Sequence, residues 1–273
     1  MSTAADPKGR VLVIAGSDSG GGAGIQADIK AVTMLGGYAM TAITAITAQN
    51  TLGVHGVWPV AQDAVQRQMV TCLADIGVDT IKTGMLGSAA LVEIVAETLD
   101  ERAREVPRIV DPVMVATSGD ALVDEHAVSA IASLMLPGAA LVTPNAPEAE
   151  VLTGKAVDGI NGQRRAAEAL LERGAKGALV KGGHIPGKIL VDVLQTETGE
   201  WIFESERIDT SSTHGTGCTL ASACAALLAQ GQSVPDAVEA GRLYLHEAIK
   251  QAPGLGQGHG PVAHNWKLLD QES

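Results

Sequence analysis

A chain of 273 residues that is 46% hydrophobic but only 2% aromatic, with 32 glycines, builds its core from Ala, Val, Ile and Leu and uses glycine where backbone turns tightly or approaches a ligand. Its net charge of −12 offers no basic stripe to nucleic-acid phosphates or anionic lipid, which argues against polymeric anions as partners and leaves open a small anion held by a few donors in a pocket.

Residues 1–10 are polar, lack the apolar core of a signal peptide, and read as a disordered tail before one domain over 11–273. The run RVLVIAG over 10–16 has the continuous apolar character of a strand buried on both faces. A glycine-rich loop over 17–22 then opens into a helix over 23–35. The alternation continues with a strand at 41–48, a helix at 62–75, a strand at 80–83, a helix at 89–104 and a strand at 108–111. After these come a helix at 125–134, a strand at 140–143, a helix at 162–173 and a strand at 177–181. Strands at 189–194 and 201–208 are close enough for an antiparallel edge hairpin, and helices at 219–229 and 234–251 close the series. Strands alternating with helices of this length predict a three-layer α/β/α fold on a mainly parallel sheet.

The glycine-rich tail from Gly254 to Gly260 reads as a flexible connector, with reach to the nucleotide site as the alternative. No apolar run reaches the roughly 18 residues of a membrane span. Cys72, Cys218 and Cys224 form no CxxC pair, which fits a reducing, cytoplasmic setting.

Polar residues gather where predicted strands end: Ser17, Asp18, Gln49, Asn50, Lys82, Asp111, Asn145, Glu148 and Lys181. Ligands of open α/β sheets bind at that edge. Thr213-His214-Gly215-Thr216-Gly217-Cys218 places two glycines at a helix start, where converging N–H groups and the helix dipole make an anion hole suited to a transferring phosphoryl group. Cys218 in that first turn is expected to have a lowered thiol pKa and to serve as a base. His214 and Cys218 lack the further ligands a metal site needs. Asn145 has the position of a helix N-cap, with Pro147 and Glu148 in the first turn. With Asp111, Asn145 and Glu148 also form the sparse oxygen set that suits Mg²⁺ on nucleotide phosphates. The first loop matches a loosened dinucleotide fingerprint at Gly22, Gly24 and Ala27, but no acidic residue stands between Asp28 and Asp63 for a ribose. A Walker A loop is absent as well.

Eight segments in order, AGSDSGGGAGIQAD (15–28), ITAITAQNTLGV (43–54), KTGMLG (82–87), DPVMVATSGD (111–120), TPNAPEAE (143–150), VKGGH (180–184), THGTGCTL (213–220) and GHGP (258–261), resemble the ribokinase superfamily. Within it they resemble the hydroxymethylpyrimidine/phosphomethylpyrimidine kinases of thiamine biosynthesis. The resemblance implies a ribokinase-like fold and ATP-dependent phosphorylation of 4-amino-5-hydroxymethyl-2-methylpyrimidine, then of its monophosphate, with Mg²⁺. It places Gln49 on the pyrimidine, with Gly16, Asp18, Ala23 and Met85 around it. Asn145, Lys181 and Thr213 fall to ATP, Glu148 and Asp111 to the metal, and Gly215, Thr216 and Gly217 to the anion hole. Sugar kinases of the superfamily carry an aspartate base where this chain has Cys218, a cysteine the pyrimidine kinases share. A homodimer follows by analogy. The rival readings are a pyridoxal/pyridoxine kinase and a non-catalytic ligand-binding protein on the same fold.

Overall fold

The computed structural model describes residues 9–115, 119 and 122–269. The tail expected over 1–10 lies, up to residue 8, outside the described residues, as do residues 116–118 and 120 of the segment 111–120. Strand β1 (Arg10–Ala15) has a parallel neighbour on each side and shows why its run is apolar throughout. Leu12 and Ile14 enter one core while Val11, Val13 and Ala15 enter another on the opposite face, so the two-residue period of the strand finds apolar partners both ways.

After α1 (Gly24–Met34) come β2 (Tyr38–Ile43), β3 (Ala45–Asn50), β4 (Gly53–Pro59), α2 (Gln62–Asp75), β5 (Thr80–Thr83), α3 (Ala89–Arg102) and β6 (Arg108–Val110). The chain continues through α4 (Glu125–Ala130), β7 (Leu141–Val142), α5 (Ala146–Thr153), α6 (Ile160–Glu172), β8 (Gly177–Val180), β9 (Ile189–Thr196) and β10 (Gly199–Glu206). Last are α7 (Thr216–Ala229), α8 (Val234–Lys250) and α9 (Trp266–Leu269). The main sheet has the order β10-β9-β8-β7-β6-β5-β1-β2. It is parallel from β2 to β8 and antiparallel at β8–β9–β10. Helices α2 to α6 cover one face, and α1, α7 and α8 the other. The expected α/β/α layering and the edge hairpin are both present.

Strand β4 and the short helix α9 have no counterpart in the sequence reading, and three further elements differ from it. The strand expected over 41–48 breaks at Thr44, whose hydroxyl donates to Met85 O at 2.7 Å. Beyond it β3 leaves the main sheet and pairs with β4 in a separate hairpin, bulged at Ala48/Gln49. The helix expected over 125–134 becomes a π-helical turn at Ile131–Met135, where Ser133 Oγ donates back to Ser129 O and Ala130 O and competes with the regular ladder. Helix α7 begins at Thr216, three residues earlier than expected, because Gly215 takes a left-handed φ of 76° as its N-cap.

Candidate functional site

A cleft of about 990 Å³ opens beside the carboxyl ends of the parallel strands. Each residue assigned a site role from the sequence lines it, from Gly16, Asp18, Ala23, Gln49 and Met85 at one end, through Thr213, Gly215, Thr216, Gly217 and Cys218, to Asp111, Asn145, Glu148 and Lys181 at the other.

At the centre, Gly215 crosses directly over the first glycine loop, so that a Cβ there would fall on Gly22 O. Only glycine fits, on both steric and φ grounds. Thr216 Oγ1 donates to Thr213 O at 3.1 Å and closes the turn. Helix geometry leaves the N–H groups of Gly217 and Cys218 without intrahelical acceptors, facing the cleft where an anion can meet them. Burial pushes the Cys218 thiol up to about 12; Lys82 and the Gly24 N–H favour the thiolate, while Asp28 and Asp111 oppose it. This corrects the sequence expectation, since loss of hydration outweighs the helix terminus.

On one side stands a carboxylate and ammonium cluster. Lys181 Nζ lies 3.4 Å from Asp111 Oδ1, which also accepts from Thr143 Oγ1 at 3.0 Å. Asn145 caps α5: its side chain accepts from Glu148 N and its own N–H donates to Glu148 Oε2, both at 2.9 Å. The capping box is therefore real, and it also fixes the Glu148 carboxylate in the cleft wall. Burial, reinforced by Asp111, pushes Glu148 up to about 7 against the pull of Lys181 and of the Asn145 and Met114 N–H groups. Burial works against the Lys181 ammonium, but Asp111 and Glu148 hold its pKa above the ordinary lysine range. Among the described residues no group of three or more His, Cys, Asp or Glu is arranged to enclose an ion. Asp111 and Glu148 are two carboxylates near one another in a dry wall, and they fit a Mg²⁺ ion that keeps its waters and is held chiefly by phosphates.

On the other side, Asp18 accepts from the N–H groups of Gly20, Gly22 and Ala23 at 2.8–2.9 Å and from His214 Nε2 at 2.8 Å. Burial alone would raise the Asp18 carboxyl, but His214 and these N–H groups hold it below the usual range. Gln49 Nε2 lies 3.5 Å from His214 Nε2, and the Gln49 backbone is clamped to the first loop through Ser19. Met85 Cε lies against Gly16, where a Cβ would collide with it.

Two residues placed at strand ends do not face the cleft. Lys82 lies within β5, fully buried and bonded to Asp28 Oδ1 at 2.9 Å. Asn50 is exposed and accepts from Leu52 N in the hairpin turn. The glycine tail, read as a connector, is instead tied down. Gln257 N and His259 N donate to Thr51, Gly260 O accepts from His214 N, and Thr213 Oγ1 lies 3.2 Å from His259 Nδ1.

The sequence reading missed several lining residues. Arg242, Leu245, His246 and Ile249 of α8 share a helical stripe that signals a helix face but not a ligand, Arg207 lies in a loop without a motif, and His184 closed the quoted segment 180–184 without being given a role. Arg207 donates to Gly183 O, Ile185 O and Gly187 O at 2.7–2.8 Å and so holds the loop after β8. His214 stood inside a quoted motif; its role as the donor to Asp18 needed the fold.

Comparison with known proteins bears on this geometry. The family described as phosphomethylpyrimidine kinase matches residues 18–263. The hydroxymethylpyrimidine/phosphomethylpyrimidine kinase of Streptomyces coelicolor is 50% identical over 258 residues, covering 94% of this chain and 95% of that protein. A thiamine biosynthesis bifunctional protein of Geobacter sulfurreducens is 48% identical over 258 residues, which are 94% of this chain and 52% of that protein. The ADP complex of Bacillus subtilis pyridoxal kinase superposes with a TM-score of 0.87 at 36% identity, covering 96% of this chain and 99% of the other.

Proposed function

Because the chain belongs to the phosphomethylpyrimidine kinase family, we propose that it phosphorylates 4-amino-5-hydroxymethyl-2-methylpyrimidine with ATP and then phosphorylates the monophosphate to the diphosphate, in thiamine biosynthesis. The observation that carries this reading is the order of groups along one cleft. At the start of α7, Gly217 stands against Lys181 Nζ and Asp111 Oδ2, while two residues earlier Gly215 stands against Gly22, whose N–H and the His214 ring meet Asp18. A phosphoryl group at the helix start thus has a cation and carboxylates on its nucleotide side and hydrogen-bonding groups for a heterocycle on its acceptor side.

Lys181 and the first turn of α7 would hold the transferring oxygens in line and meet the charge that develops on them. A Mg²⁺ ion beside Asp111 and Glu148 would neutralise the nucleotide phosphates. Gln49 carries both a donor and an acceptor, which suits a ring nitrogen with an adjacent amino group. Met85, against Gly16, would cover the ring. In the first transfer the acceptor hydroxyl loses a proton, and Cys218, which lines the same cleft, would take it. Its thiolate is scarce at about 12 but correspondingly basic. In the second transfer the acceptor is an ionised phosphate oxygen that needs alignment rather than a base. The same reading carries a cytoplasmic location, a homodimer and one working domain over residues 11–273.

Release of ADP, measured with the hydroxymethylpyrimidine, its monophosphate and pyridoxal, tests the reading. Turnover of both pyrimidines is expected. Turnover of pyridoxal alone would replace it with the second reading, which the likeness to pyridoxal kinase favours, and no turnover would leave a binding protein.

A further inference from the structure

Behind the cleft, α1 and α7 meet along two matched faces. Gly24 and Asp28 are four residues apart on α1, Cys218 and Ser222 four apart on α7, so each pair lies on one side of its helix. Cys218 stands one turn before Ser222 on α7, as Gly24 does before Asp28 on α1. One turn on, Ser222 Oγ donates to Asp28 Oδ1 at 2.7 Å. Strand β5 closes the seam with Lys82, whose Nζ reaches the same oxygen at 2.9 Å. The side chains of Lys82 and Asp28 are 0% exposed, and Asp28 Oδ2 is buried without a hydrogen-bond partner. A fully dehydrated ion pair with one unsatisfied oxygen is poor material for stability alone, since well-packed apolar residues commonly serve as well or better. Its location along the helix faces that bring Cys218 into the cleft suggests what keeps it there.

We propose that Lys82 is a positioning residue for the first phosphoryl transfer: anchored by Asp28, its ammonium is the fixed positive charge that lets the Cys218 sulfur exist as a thiolate and take the acceptor's hydroxyl proton. In that step the thiolate gains the proton, the acceptor oxygen forms its bond to the γ-phosphorus, and the bond from that phosphorus to the ADP oxygen breaks with its electron pair leaving on ADP. The proposal rests on the reading of Cys218 as base. Four charged groups bear on this sulfur: Lys82 from β5, Asp28 from α1, Asp111 after β6 and Lys181 after β8. The cations favour the thiolate and the carboxylates oppose it. Lys82 is the one cation that Asp28 holds away from the cleft, so it stays in place when nucleotide arrives.

The test uses the full chain with Cys72→Ser, a half-buried cysteine on α2 outside the cleft, so that Cys218 is the accessible thiol. Alkylation of Cys218 by iodoacetamide is followed by peptide mass at fixed pH, and each transfer is assayed separately. Lys82→Met is expected to slow alkylation about tenfold, the change one unit of thiol pKa produces, and to slow the first transfer more than the second. Lys82→Arg is expected to recover part of both. Asp28→Asn, which releases the ammonium, is expected to speed alkylation. A merely structural role predicts the same direction for both variants, because loosening the seam rehydrates the sulfur and speeds alkylation in each. That result, or no change in either, overturns the proposal. Should Lys82→Met not fold, the double variant Lys82→Met with Asp28→Leu leaves no unpaired charge. Slower alkylation there supports the proposal, and equal or faster alkylation overturns it. Undiminished first transfer in Cys218→Ala would instead remove the base reading, while alkylation would still report whether Lys82 acts on the sulfur.

Discussion

Cys218 shows how far a residue's chemistry depends on what surrounds it. A thiol at a helix start, taken alone, should be acidic; here burial pushes it up to about 12, and the sequence held no sign that α1 would close over it. Replacing it separates the two transfers. Cys218→Ala is expected to lower kcat for the hydroxymethylpyrimidine by about two orders of magnitude, the usual worth of a general base, and to leave the monophosphate reaction within about threefold of the parent. Equal losses in both would exclude the base. Glu148 permits a complementary separation. Glu148→Gln keeps an acceptor for the Asn145 N–H, so α5 stays capped, but removes a carboxylate that burial pushes up to about 7. Thermal stability should hold or rise while kcat/KM for ATP falls about a hundredfold; a matching loss of stability would make Glu148 structural only. Asn145 and Glu148 were legible in sequence because a capping box is local. The contact of Asp18 with His214 joins residues 196 apart, and no spacing rule reaches that far.

The elements were readable in proportion to how much of their pattern is local. Helix α2 starts and ends where its apolar spacing said it should, and β1 announced two buried faces. The break between β2 and β3 was hidden because Thr44 is chemically an ordinary strand residue, and what turns the chain is a hydrogen bond to Met85 across the fold. The start of α7 was misjudged by three residues because Gly215 makes Thr216 helical, and its need for a left-handed φ follows from its approach to Gly22. That crossing is testable. Gly215→Ala must move two loops apart, and is expected to cost more than about 2 kcal/mol in urea unfolding and at least a hundredfold in kcat/KM for both acceptors. Retention of full activity would show that the two glycine loops do not jointly shape the anion hole.

At the scale of the whole molecule, one buried histidine ties stability to pH. His264 Nε2 lies 2.9 Å from Thr219 Oγ1 on α7, and burial lowers its pKa to about 4. A folded pKa below the ordinary histidine value means that the unfolded chain binds the proton more readily. The contribution is therefore complete above about pH 6.5 and is lost as pH falls toward 4, up to about 3 kcal/mol in all. Urea unfolding of the parent and of His264→Gln at about pH 7.5 and about pH 5 should show a smaller acid loss in the variant. An identical loss in both would place the acid sensitivity elsewhere.

The strap that joins Thr51 to residues 257–259 and meets the anion loop at Gly260 also bears on when the cleft is completed during synthesis. Its hydrogen bonds span 206 and 207 residues, so on the ribosome the hairpin bearing Gln49 is made long before the chain that fastens it. Contacts this distant in sequence form late and slowly. A nascent chain would therefore carry a nearly finished sheet with an unfinished cleft, and ATP would meet a competent site only after synthesis had passed Pro261.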